Sequence, residues 1–372
     1  MSRCVNFEGV TLPFRRQPRF KPEYMASLRV QFARFDEEDI TEPEPHDAPQ
    51  LCNNMVFTVP KPTNPSERRV VVDFSAFKAL TINDMISTLP KDILALMQRF
   101  FGCSCFCSVD CRDAFYALAL AVHCRPYTAF TNPCTNTRHQ FKRAIQGAQN
   151  NTEHCQRTVY SKVSTAPITS SSVAESYLDD ILLGTRPDPS AHDTHVTLIL
   201  DMAHSLAALA RSLASVGQRW KLSKCLFFWP YGQLVGFVTN GVVVRHEASR
   251  LAPLRSMGPP QSLASARRFL GLIQSRQRFL PDHVDTLLRV SRFVCAGRWP
   301  GGGLPADIRD DFLALRDAVA NNTPLRLVDR DLPVHARADS CISGAGGHLG
   351  QYDQRSGDWF DLGHFVHTFS KV

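Results

Sequence analysis

Two adjacent aspartates, Asp179 and Asp180, stand after Tyr177-Leu178 and directly before the apolar run Ile181-Leu182-Leu183. Neighbouring carboxylates repel and raise each other's proton affinity unless something compensates. The usual compensation is a divalent cation, and the chemistry that goes with it is phosphoryl transfer. Residues 176–183 read as a β-hairpin with the pair at its tip. Successive side chains of a strand point to opposite faces, so both aspartates reach one ion equally only if the hairpin bends there. Upstream, the short apolar strand Phe106-Cys107-Ser108-Val109 ends at Asp110. Asp110 and Asp179 are therefore expected as the main ligands, with Asp180 looser. The plain alternative is a solvated turn, where aspartates are common.

Charge adds a second constraint. The 372-residue chain carries a net charge of +7. Residues 255–298 hold eight arginines and no lysine, against Asp282 and Asp285. Guanidinium forks match phosphate geometry, so this cluster suits a nucleic-acid backbone; a solvated helix face is the bland reading. Hydrophobic content of 44% with 21% charged residues is that of a soluble globular protein, and the length suggests two or three folded units. No N-terminal leader and no apolar stretch of about 18 residues is apparent, which leads us to expect no membrane partner. The 12 cysteines are then expected as reduced thiols of an intracellular, cytoplasmic or nuclear protein. Cys103, Cys105, Cys107 and Cys111 alternate as one strand face would, and lack the partner pair of a zinc site.

Elements follow from periodicity. Residues 25–35 and 92–101 suggest helices, and residues 56–59 a strand leading into a Pro60-Lys61-Pro62 loop. Residues 69–74 form a β-branched, buried-strand pattern, and residues 115–122 and 127–130 are further strand candidates. Residues 192–216 make the clearest helix, with Val196, Ile199, Leu200, Ala203, Leu206, Ala207, Ala210, Leu213 and Val216 as its apolar stripe and Gly217 as its stop. Asn240-Gly241 signals a hairpin turn. A helix is predicted over residues 262–279, ended by Pro281, with Arg267 and Arg278 on one face; another covers residues 307–320. The last segment, from residue 334, is Gly-rich and strand-like.

Taken in order, these blocks resemble the reverse transcriptases of retroviruses and gypsy-type LTR retrotransposons, from about Arg15 to the C-terminus. Val59-Pro60-Lys61-Pro62 and Arg69-Val70-Val71-Val72-Asp73-Phe74 are similar to the fingers. The segment from Phe106 through Asp110 to Phe115 is similar to the first catalytic block, followed by Tyr127-Thr128-Ala129-Phe130 and Gln146-Gly147. Tyr177-Leu178-Asp179-Asp180 is similar to the tyrosine-x-Asp-Asp box. Residues 221–228 and 234–237 resemble the end of the palm, and Arg268-Phe269-Leu270-Gly271-Leu272 the start of the connecting segment.

The resemblance implies an α+β right-hand polymerase of fingers, palm and thumb, its antiparallel palm sheet backed by helices. A connection and a truncated RNase H-like segment would follow. The implied boundaries are 1–50 for the entry to the fingers, 51–245 for fingers and palm, 246–300 for the thumb-like helices and 301–372 for a partial RNase H-like domain. The implied activity is RNA-directed DNA polymerisation with Mg²⁺, or Mn²⁺ as the alternative ion. Its partners would be an RNA or DNA template with primer, and dNTPs. Asp110, Asp179 and Asp180 would hold the metals. Arg69 and Lys61 would contact the triphosphate, and Asp113 would open a turn whose N–H groups face a phosphate. Phe115 would pack under the sugar and exclude a 2′-hydroxyl, Gln146 would lie over base and sugar, and Tyr177 beside the primer end. Arg267, Arg268, Arg276 and Arg278 would track the nucleic-acid backbone. Asp339 would be the first RNase H carboxylate; the next does not occur before Val372, so no RNase H activity is expected.

Departures from the family pattern are Ser75, Lys78, Ala148, Asn150-Asn151-Thr152 and Ile273-Gln274-Ser275-Arg276. They keep open a second reading, a nucleic-acid-binding remnant with weak or no catalysis. An RNA-dependent RNA polymerase shares the palm chemistry but is disfavoured by Phe115 and Tyr177. The oligomeric state is not readable.

Overall fold

The computed structural model describes residues 12, 14–47, 50–61, 64–75, 92–148, 150–280, 283–301, 303–342 and 344–369. At its centre is an antiparallel sheet in the order Leu226–Trp229, Cys105–Arg112, Asp180–Thr185, Ser172–Tyr177, with Arg219–Trp220 pairing to the end of Cys105–Arg112. The alternation expected of the cysteine strand is realised. Cys105, Cys107, Val109 and Cys111 pack on Val159 of helix Asn151–Ser164 and on Leu209 and Leu213 of helix Thr194–Ala214. Phe106 and Leu182 face the other way, onto Met97, Phe100 and Val244. These cysteines are thus core residues, and burial pushes the Cys111 thiol up to about 12. Among the described residues ten cysteines are free, but Cys124 is disulfide-bonded. That corrects the expectation of uniformly reduced thiols, since pairing is not readable from spacing.

A second unit joins the hairpin Met55–Lys61/Asn64–Asp73 to helix Pro22–Glu37. Leu28, Phe32 and Phe35 of the helix bury against Val56, Val70, Val72, Phe130 and Phe141. The first strand runs through Pro60 to Lys61 rather than opening into a loop at Pro60. Pro62 and Lys78 lie outside the described residues. Residues 115–122 are not a strand. Asp113 takes a left-handed backbone (φ 50) that ends the preceding strand, and the 3₁₀ helix Val122–Thr128 follows. Of residues 127–130, only Phe130 enters a strand.

Helix Thr194–Ala214 starts where Asp193 Oδ1 accepts from the His195 and Val196 N–H groups (3.1 and 3.0 Å), and Gly217 follows at φ 75. Its buried face is Met202, Ser205, Ala208, Leu209 and Leu213. The predicted stripe is therefore partly wrong: Val196, Ile199 and Leu200 are 51%, 53% and 52% exposed. The helix has two apolar faces, and the one chosen contains Ser205, whose hydroxyl bonds Ser172 (2.9 Å) and accepts from the Thr169 N–H (3.0 Å). Contrary to expectation, it is long and apolar enough to cross a membrane (mean hydropathy 1.3), although its other face lies on the sheet.

Helices Ala248–Arg255, Leu263–Gln274, Val284–Cys295 and Ala306–Ala320 share a core of Leu251, Phe269, Leu287, Phe312 and Leu315. The predicted helix over residues 262–279 is cut short. It is capped by the reciprocal Ser262–Ser265 bonds and ends at Gln274, and Gln277–Phe279 forms a separate 3₁₀ turn. Arg267 and Arg278 do not share a helix, and Pro281 lies outside the described residues. The chain closes with the antiparallel strands Val334–Cys341, Gly344–Asp353 and Asp358–Thr368.

The Asn240-Gly241 turn joins strands Phe237–Thr239 and Val243–His246. Asn240 Oδ1 accepts from the Val242 and Val243 N–H groups (3.1 and 3.0 Å). Gly241 has φ +84, and a Cβ there would fall on the Cys103 carbonyl oxygen. Gly241→Ala is expected to cost about 3 kcal/mol of stability, combining a left-handed strain with a displaced backbone contact. The thermal midpoint should drop accordingly, and an unchanged midpoint would refute the close approach.

Candidate active site

Asp110 lies one strand across from Asp180, its register partner, and Asp180 in turn pairs with Tyr177. Between them Leu178 adopts φ 55, a conformation that is costly for a bulky side chain. This is the bend the adjacent aspartates required. The fully buried Gln156 clamps it: its Oε1 accepts from the Leu178 N–H (2.5 Å) and its Nε2 donates to the Ser176 carbonyl (3.4 Å). The Asp179 carbonyl also accepts from the Cys111 N–H at 2.8 Å. The tip is thereby folded back on the strand that carries Asp110.

A cavity of about 1030 Å³ opens here. It gathers Arg69, Asp110, Asp113, Phe115, Gln146 and Asp179, six of the residues singled out in the sequence. Arg34, Arg68, Lys221 and Lys224 also line it. Asp113 uses its carboxylate locally, in ion pairs with Arg34 and Arg112. Two expected residues do not line the cavity: Asp180, and Tyr177, which packs against the Phe106–Leu234 cluster. The Lys61 side chain lies outside the described residues.

Electrostatics single out the trio. Partial desolvation, reinforced by Asp110, pushes the Asp179 carboxyl up, although its side chain is exposed to the cavity. Burial first, then the charges of Asp179 and Asp110, raise Asp180 from 3.8 to about 6, against the pull of Lys224 and the Val235 N–H. Lys224 Nζ donates to Asp110 Oδ2 at 2.8 Å. Crowded carboxylates partnered by one ammonium are an oxygen-only donor set that favours a hard cation such as Mg²⁺. They do not form a ready-made cage: among the described residues no three His, Cys, Asp or Glu side chains are arranged to grip an ion together.

Residues 59–272 match the reverse transcriptase (RNA-dependent DNA polymerase) family, more than half of the chain. The chain belongs to this family. Among curated proteins it is 25% identical over 225 residues to the retrovirus-related Pol polyprotein from transposon opus of Drosophila melanogaster. It is 21% identical over 236 residues to that from transposon 297 of the same organism. Those stretches are 60% and 63% of this chain, which spans about a fifth of either relative (20% and 21%). A solved foamy viral protease-reverse transcriptase in complex with double-stranded DNA superposes with TM-score 0.77, at 16% identity, over 96% of this chain and 58% of that one. A complex of the foamy viral protein with an RNA/DNA hybrid superposes with TM-score 0.71, at 16% identity, over 96% of this chain and 44% of that one. The fold is accordingly that of a polymerase, a mixed helix and antiparallel-sheet architecture.

The four arginines expected to track nucleic acid separate into different environments. Arg267 and Arg268 are exposed on helix Leu263–Gln274. Arg276 is half-buried and donates to the Leu272 carbonyl (3.0 Å), and Arg278 pairs with Asp92 (2.6 Å). Asp339 lies on the exposed strand Val334–Cys341 and borders a separate cavity of about 490 Å³ with Asp285, His348, Asp361 and His364.

The raised Asp180 predicts a pH effect. Its proton is held more tightly in the folded chain, so stability is highest below the unfolded value of 3.8 and is lost as pH rises through about 6. Asp180→Asn removes that loss. In metal-free buffer the variant should gain on the order of 1–2 kcal/mol relative to wild type between about pH 4 and pH 7, a figure reduced for partial exposure. Thermal midpoints of both proteins across this range test it, and parallel curves would contradict it.

Proposed function

We propose that this chain is an RNA-directed DNA polymerase from an LTR-retrotransposon or retrovirus-like element, acting within a longer protein. It would add dNTPs to a primer 3′-hydroxyl and release pyrophosphate. The observation that supports this most is the single cavity that draws Arg69, Asp110, Phe115, Gln146 and Asp179 together from separate parts of the chain. In this reading residues 51–245 are fingers and palm. Asp110 and Asp179 hold Mg²⁺ or Mn²⁺, with Asp180 in a lesser role. The bound ions would lower the pKa of the primer hydroxyl and neutralise charge on the triphosphate and leaving group.

The protein's own contribution is position and charge. Arg69, with Lys61 beside it in sequence-implied role, would grip the triphosphate, and Arg68 and Lys221 extend the same basic wall. Asp113 orders the turn below the phosphates through Arg34. The Phe115 ring would lie under the sugar and Gln146 over the base. Tyr177 would support the primer end from within the core. Arg267 and Arg268, exposed on helix Leu263–Gln274, would track the nucleic-acid backbone without reading sequence. The foamy viral proteins solved with double-stranded DNA and with an RNA/DNA hybrid support a template-primer as partner. The site is proposed to work inside the cell, in cytoplasm or nucleus.

Incorporation of dTTP on a DNA primer annealed to an RNA template, with Mg²⁺ or Mn²⁺, tests the reading. Metal-dependent extension is expected. Tight, salt-sensitive binding without extension would favour the non-catalytic remnant instead.

A further inference from the structure

Lys224 has no part in the reading above, yet it is the cation nearest the carboxylates. We propose that Lys224 is a built-in counterion that holds Asp110 in the metal-free protein and must leave Asp110 when a divalent ion enters, so that it sets the metal affinity of the site. The inference rests on the proposed metal role of Asp110.

The local backbone is built around this contact. The Lys221 N–H donates to the Asp110 carbonyl at 2.9 Å, so the segment carrying the lysine is docked on the residue it will neutralise. The 3₁₀ turn Leu222–Lys224 follows at once, closed by the Lys224 N–H on the Lys221 carbonyl at 2.8 Å. One turn brings Nζ to 2.8 Å from Asp110 Oδ2. Lys224 also feels the charges of Asp179 and Asp180. The ammonium is thus in contact with Asp110 and acts on the other two carboxylates at longer range.

Exposure gives the contact a direction of exchange. The Lys224 side chain is 56% exposed and that of Asp110 16%. The lysine can swing into the cavity mouth on its flexible stem while the aspartate stays fixed in the strand. An ammonium 2.8 Å from Oδ2 and a divalent ion on the same carboxylate repel each other at close range, so the two cations compete.

Mn²⁺ binding to the full chain, free of nucleotide and nucleic acid, is read from the loss of the free-ion EPR signal. Lys224→Met is expected to bind Mn²⁺ roughly tenfold more tightly than wild type, and Lys224→Arg to stay near wild type because it keeps the competing charge. Lys224→Gln gives the same readout should the methionine variant fold poorly. Asp110→Asn should abolish the binding. Equal or weaker Mn²⁺ affinity in both neutral variants overturns the inference while leaving the metal site in place. Binding that ignores Asp110→Asn overturns the inference together with the reading it rests on.

Discussion

Asp110→Asn and Asp179→Asn are each expected to reduce primer extension by roughly 10³-fold or more, which corresponds to about 4 kcal/mol of transition-state stabilisation. Both replacements keep the side-chain volume and remove one negative charge. Both residues line the cavity, and their backbones are fixed by other means: Asp110 by its ladder with Asp180, Asp179 by the Cys111 N–H at 2.8 Å. The fold should therefore survive. Template-primer affinity should be retained or rise slightly, because a negative charge is removed beside Lys221, Lys224 and Arg69. Asp180→Asn is expected to fall less, since Asp180 stands outside the cavity and has the Val235 N–H as a partner. Single-turnover incorporation separates chemistry from binding. Equal extension by wild type and Asp179→Asn would refute the mechanism, and a larger loss at Asp180 than at Asp179 would reverse the assigned division of labour.

The local geometry behind that proposed division was partly legible in the sequence, because strand period and turn chemistry are local. The Cys105–Arg112 alternation, the bend at the aspartate pair and the Asn240-Gly241 turn all follow from neighbours within a few residues. What failed was the choice between two solutions with similar local patterns. Residues 115–122 are apolar enough for a strand, but the left-handed Asp113 turns the chain away. Helix Thr194–Ala214 offers two apolar faces, and the one buried carries Ser205, whose hydroxyl donates to Ser172 and bonds Thr169, rather than the stripe expected from periodicity. Gln156 and Lys224 escaped notice for another reason. Each acts on a group distant in sequence, Gln156 on Leu178 at a separation of 22 and Lys224 on Asp110 at 114. A buried glutamine among Cys155, Val159 and Val163 was a readable anomaly; the lysine was not, because a surface cation has no pattern of its own.

Phe115→Val carries the other large effect. The ring has two contacts to lose: it packs against the palm core beside Ala114 and Leu118, and it forms part of the cavity wall next to Asp110. The backbone beneath it is held by the Leu118 N–H on the Phe115 carbonyl at 3.0 Å, so shortening the side chain should open space at the wall rather than move the turn. If the ring lies under the sugar, that space falls where a 2′-hydroxyl would sit. Discrimination by steric exclusion is lost when the excluding group is removed. The ratio of kcat/KM for ribonucleotides to that for deoxynucleotides is expected to rise roughly ten- to a hundredfold, with a stability cost of about 1 kcal/mol for a half-buried ring. Most of the change should come from faster ribonucleotide use, since in the proposed reading the deoxynucleotide would still meet Arg69 and Gln146. The stability loss alone does not discriminate, because plain packing predicts it too. An unchanged ratio with a lowered thermal midpoint would make Phe115 a core residue only. Wild-type preference for ribonucleotides would instead favour an RNA polymerase on the same palm, and would require some other group to shape the sugar side of the cavity.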